Sequence, residues 1–286
     1  MKPSFFERFS SGAAAAALIL LFAAPAVANS VIYTGSSVIF EGSTTGSYGL
    51  LSSRATFTSG TSGTLKLLLE NTTSGTSNAP EDLLTSFYFN VLTGTTTGTP
   101  APLGYQSAFG QVYYAVRGGV PDIPVIYTPP LPGGTVVTGT GLSNLQAFNT
   151  NDDTWQFKSG FTLGPSPALA FGVGTVGNTN LDPNSFNGNI VGGDDFGIYV
   201  GDATSSSLDG RLLVKDSIEF EFDGFSGFSL SQITPNALFG FGSDPTFVIS
   251  VPEPTALVIA TLGIGACGIN RVRRRRMAPV GTAVVS

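Results

Sequence analysis

Along "SIEFEFDGF", residues 217–225, Ile218, Phe220 and Phe222 alternate with Glu219, Glu221 and Asp223. A period of two puts the apolar side chains on one face of a strand and the carboxylates on the other, so Glu219 and Glu221 are expected to point to solvent. The same pattern predicts strands at residues 31–41, 54–59, 64–71, 83–91, 111–117, 122–128, 154–163, 168–176, 196–200, 211–215 and 237–242. Clusters of Gly, Ser, Thr, Asn, Asp and Pro separate them, the punctuation expected between short strands of a sandwich or barrel. No segment before the C-terminal tail keeps a helical period; "APEDLLTSF" offers one turn after Pro80 and then a strand. The stretches "TGTTTGTPAP" and "TPPLPGGTVVTGTG" read as long surface loops. The predicted fold class is all-β, an antiparallel β-sandwich of jelly-roll-like or Greek-key type filling residues 29–250.

Both ends of the chain depart from that pattern. Lys2 and Arg8 precede "GAAAAALILLFAAPAVA", a basic region followed by a short apolar run ending in small residues. Residues 1–28 therefore read as a signal peptide cut by signal peptidase after Ala28, with Ala26 and Ala28 forming the small-residue pattern. At the other end, residues 255–269 hold no charge and as a helix would reach roughly 22 Å, against a hydrocarbon core of about 30 Å. The segment reads as a short transmembrane helix, marginal in length for a span. Arg271, Arg273, Arg274, Arg275 and Arg276 follow it; they can snorkel to the headgroups and hold that side in the cytoplasm. Pro252 and Pro254 flank Glu253, and because proline lacks an N–H and pushes its predecessor to extended geometry, residues 251–254 are expected neither to join a helix nor to pair as a strand.

Residues 251–276, "VPEPTALVIATLGIGACGINRVRRRR", resemble the PEP-CTERM sorting signal: a Pro-Glu-Pro triplet, a hydrophobic helix and an arginine cluster. The resemblance implies recognition by an exosortase, a membrane cysteine protease of exopolysaccharide-producing Gram-negative bacteria, removal of the tail, and delivery to the cell surface or extracellular matrix. The membrane is then a transient partner and exopolysaccharide a candidate partner. Residues 277–286 form a short cytoplasmic extension, longer than such signals usually carry. "TLKLLLENTTSGTSNAPEDLLTSFYFNVL", "GDDFGIYV" and "ITPNALFGFGSDPTFVI" are also similar to a group of exosortase-dependent surface proteins with no assigned activity.

Charge and chemistry narrow what the middle of the chain can do. Residues 29–250 hold six basic and seventeen acidic residues, a balance of −11, although the whole chain shows −6. Such a surface repels phosphate backbones, which argues against a nucleic-acid partner. No histidine is present, so Ser-His-Asp and Cys-His arrangements are excluded, and the one cysteine, Cys267, can form no internal disulfide. The chain reads as a non-enzyme with no resident cofactor; a polysaccharide hydrolase built on paired carboxylates is a lesser alternative. A glycan- or calcium-binding, lectin-like module is the other. Its residues would be Asp152, Asp153 and Trp155 in "NDDTW", and Asp182, Asp194 and Asp195 in "NTNLDPNSFNGNIVGGDD", oxygen donors suited to calcium and an aromatic face suited to a sugar. The plainer account makes the first a turn before a strand with Trp155 and Phe157 on its buried face, and the second an Asx-rich turn. Asn71-Thr72-Thr73 fits a glycosylation sequon but also a strand-end turn.

Overall fold

The computed structural model describes residues 30–46, 49–94, 99–116, 121–128, 135–138, 145–148, 155–163, 169–175, 196–203, 205–242 and 247–251. The chain is all-β. Its strands are β1 (Ser30–Tyr33), β2 (Ser37–Gly46), β3 (Gly49–Ser59), β4 (Leu65–Asn71), β5 (Leu84–Phe89), β6 (Gly104–Tyr114), β7 (Ile123–Thr128) and β8 (Thr135–Thr138), followed by β9 (Leu145–Phe148), β10 (Gln156–Leu163), β11 (Leu169–Gly174), β12 (Ile198–Tyr199), β13 (Leu212–Asp223), β14 (Ala237–Phe241) and β15 (Phe247–Val251). They share one hydrogen-bonded network. Its main path runs β1-β2-β3-β4-β13-β12-β5-β11-β10; β14 and β15 extend from β5, while β6, β7, β8 and β9 extend from β13.

The alternation read in the sequence decides which way the strands face. Val38 and Phe40, Ala55 and Phe57, Leu65, Leu67 and Leu69, and Ile218, Phe220 and Phe222 are all buried. Lys66, opposite Glu221 in the β4–β13 register, lies on the other face and pairs with Glu219 at 2.9 Å. β5 is different, since every one of its residues is buried. Phe87 lies 6.2 Å from Phe40, and Phe89 lies 5.0 Å from Phe57 and 5.9 Å from Phe222, on strands with which β5 does not pair. Aromatic pairs of this kind add about 0.5–1.5 kcal/mol each beyond the area they bury, so β5 is the apolar centre around which the other strands close.

β13 joins the two halves of the network. One edge pairs with β6 along its length. The other is shared: Val214 and Lys215 pair with β12, in parallel, and residues 217–222 pair with β4. The changeover falls at Asp216, whose φ of 61° lies in the left-handed region, a conformation that asparagine and aspartate tolerate better than most residues.

Several expectations need correction. Residues 31–41 are two strands joined by a turn, because the Thr34 hydroxyl accepts the backbone N–H groups of Ser36 and Ser37 and Gly35 carries no side chain to pack. Residues 211–215 and 217–225 merge into one bulged strand, and the β12–β13 pairing makes the sheet mixed where a wholly antiparallel one was expected. β8 and β9 occupy stretches read as loop or left unread. β15 was missed as well. Val251 pairs with Ala237, contrary to the expectation that it would stand free; the extended geometry proline imposes on its predecessor is also what the last residue of a strand adopts. The one-turn start at Pro80–Asp82 leading into β5 is as expected.

Candidate functional site

Strand register separates the loops into two groups at opposite ends of β2, β3, β4 and β13. At one end, which we call the exit end, lie residues 34–36, 60–64, 91–94, 99–103 and 224–236. The Tyr33 hydroxyl donates to the Ile233 carbonyl at 3.1 Å, the Gln232 amide donates to the Leu92 carbonyl at 3.1 Å, and Ala101 N–H donates to the Val91 carbonyl at 2.7 Å. Gly63, at φ 79°, lets this end close: a Cβ there would stand 2.9 Å from the Cβ of Ser226. None of these loop residues is charged. β14 starts here and β15 finishes here, with Val251 opposite Ala237, so the last described residue lies at this end.

The acidic end gathers residues 72–83, 115–116, 121–122, 200–203 and 205–211, which include Glu81, Asp82, Asp122, Asp202 and Asp209 with Arg211. Asp122 is buried; its Oδ1 accepts Val116 N–H at 3.2 Å and its Oδ2 accepts Ala203 N–H at 3.0 Å. Asp82 is buried too, and its Oδ2 accepts the N–H groups of Asn78 and Ala79 at 2.8 and 3.1 Å. Its Oδ1 has no hydrogen bond and is sealed from solvent. Desolvation raises the Asp82 pKa, and the two backbone donors only partly oppose this. Beside Asp122, burial drives the Tyr199 phenol far above its ordinary value, with the Asp122 charge adding to the effect. Lys215 Nζ lies 5.1 Å from the Tyr113 ring centre and 5.6 Å from that of Tyr199, and 3.5 Å from Asp202.

These groups are arranged to hold loops. Both oxygens of Asp122 and one of Asp82 are taken by backbone donors, and the remaining Asp82 oxygen is buried without a hydrogen bond. Among the described residues, one cleft bordering this end holds 240 Å³ and is lined by Leu51, Thr73, Thr76, Asn78 and Asp82, and another holds 190 Å³ between Glu41 and Thr72. Both fall below the ~300 Å³ at which small-molecule pockets begin. Among the described residues no group of three or more His, Cys, Asp or Glu could hold a metal ion.

Of the residues singled out in the sequence, Trp155 is described and is wholly buried. Its Nε1–H donates to the Phe196 carbonyl at 2.8 Å and its ring meets Phe220 edge-on at 5.5 Å. It presents no face on which a sugar could stack, which corrects its candidacy as a ligand residue. The Asn71 amide is occupied as well, donating to the carbonyls of Asp82 and Ile198. Ala26, Ala28, Asp152, Asp153, Asp182, Asp194, Asp195, Pro252, Glu253, Pro254, Arg271, Arg273, Arg274, Arg275 and Arg276 lie outside the described residues. Among the described residues no helix is long and apolar enough to cross a membrane. Asp122, Tyr199 and Lys215 were not singled out beforehand. Asp122 follows a proline, which marks a turn, but nothing local points to Ala203.

No protein-family model, curated protein or solved structure matches this chain.

Proposed function

We propose that this chain is an exported surface or extracellular-matrix protein of the PEP-CTERM type, processed by an exosortase, with a structural or interaction role in an exopolysaccharide-bearing matrix. Its β domain is a sandwich in this reading, with the β2–β3–β4–β13 layer facing β5 and its neighbours across the phenylalanine core. The observation that carries the reading is the order of parts in residues 252–276: Pro252-Glu253-Pro254, an uncharged segment, then Arg271 and Arg273 to Arg276. Two features of the fold support it. β15 runs to Val251, so tail removal beyond that residue leaves the sheet intact. The buried carboxylates of Asp82 and Asp122 accept backbone N–H groups and so fasten loops, in keeping with a structural role. The lectin-like alternative loses its aromatic platform with Trp155 buried.

Replacing Pro252, Glu253 and Pro254 together by alanine is expected to leave full-length protein in the inner membrane. Cell fractionation with intact-mass measurement checks this; unchanged delivery of a tail-less product to the cell exterior would refute the sorting assignment.

A further inference from the structure

We propose that the exit end is a bilayer-facing surface, resting against lipid headgroups while the tail is inserted and turning the acidic end away from the membrane. This rests on the reading of residues 252–276 as a membrane-inserted signal.

Reach comes first. Val251 is held in the sheet opposite Ala237, and the uncharged segment begins at Thr255. Four peptide steps span at most roughly 14 Å, so the end from which Val251 emerges stays within that distance of the inserted helix. β2 runs from Ser37 at the exit end to Gly46 at the other, ten residues, or roughly 33 Å. The linking residues are too few to double back over that length, and the acidic end therefore stands well clear of the bilayer.

Charge agrees with reach. The exit-end loops are built from Gly, Ser, Thr, Pro and apolar residues with Gln232 and Asn236, and Phe228 and Leu230 are half-buried at their edge. Among the described residues the nearest carboxylates are Asp223 at the last β13–β6 pair and Glu219 and Glu221 behind it; Glu219 pairs with Lys66 at 2.9 Å and Glu221 accepts the Thr64 hydroxyl at 2.6 Å, and beyond Val251 the linking residues add Glu253. Glu81, Asp82, Asp122, Asp202 and Asp209 are all at the far end. With a screening length of about 8 Å at physiological salt, carboxylates ~30 Å from an anionic leaflet feel almost none of its repulsion, whereas the same groups against it would be pushed off.

The test uses the unprocessed full chain in vesicles whose headgroups carry chelated nickel. In a Cys267→Ser background, single spin labels are placed at Ser62→Cys, Ser226→Cys and Ser206→Cys. A fourth sample carries its label on the native Cys267. Headgroup nickel is expected to relax labels 62 and 226 at least threefold more strongly than label 206, with label 267 in the hydrocarbon. Equal relaxation at all three domain positions, with label 267 still in the hydrocarbon, overturns the orientation and leaves the sorting reading standing. A label at 267 found in water overturns both.

Discussion

At the acidic end the loops are fastened by carboxylates: Asp122 ties residue 116 to residue 203, and Asp82 closes the turn from Asn78. At the exit end the same task falls to neutral groups, with Gln232 accepting Ser229 N–H at 2.7 Å and donating to the Leu92 carbonyl. Hydrogen bonds to a carboxylate can be roughly twice as strong as those to a neutral acceptor, so Asp122 is expected to brace its loops more firmly than Gln232, whereas at Asp82 burial offsets that gain. The difference teaches that part of this domain's acidity is internal scaffolding. It also leaves the exit-end loops without charge, in keeping with the bilayer-facing orientation proposed above.

The largest expected effect tests whether the two ends belong to one cooperative unit. Phe89 is wholly buried and contacts Phe57, Phe87, Phe171 and Phe222; Phe89→Ala is expected to cost about 3–5 kcal/mol and to lower a single melting transition in calorimetry. Two separate transitions would show the ends to be independent. Next, Asp122→Ala removes the acceptor for the part-buried Val116 N–H and the buried Ala203 N–H and is expected to cost about 3 kcal/mol, against about 1 kcal/mol for Gln232→Ala. Equal losses in urea unfolding would erase the contrast between charged and neutral fastening.

The smallest effect concerns pH. The Asp82 pKa is raised in the folded state by burial, so its contribution to stability is fully present below the unfolded value of about 4 and is lost as pH rises through the folded value. Asp82→Asn keeps an oxygen for the Asn78 and Ala79 donors but cannot ionise. Its stability relative to the parent chain is therefore expected to improve as pH is raised from 4 to 7. A constant difference across that range would contradict the burial argument.

The buried faces were legible in the sequence wherever alternation was sustained. Leu65, Leu67 and Leu69, and Ile218, Phe220 and Phe222, announce which side is covered, because a period-two pattern reports a strand with one wet face. β8, β9 and β15 were not, since four or five residues amid Gly, Thr and Pro give too little pattern to separate a strand from a loop. Trp155 was legible only as a choice between two roles, and the Phe196 carbonyl that settles it lies 41 residues away. The contrast between the ends was hidden for the same reason: Asp122 meets Ala203 across 81 residues, and only the register assigns each carboxylate to its end.

The position of β5 has a bearing on timing. This innermost strand pairs Tyr88 with Leu238 and Phe87 with Phe239, so it cannot complete its hydrogen bonds until almost the whole domain has been synthesised. Pairing between such distant segments is slow. Under the export proposed above, a centre that waits for its last strands would keep the polypeptide threadable until the far side supplies them.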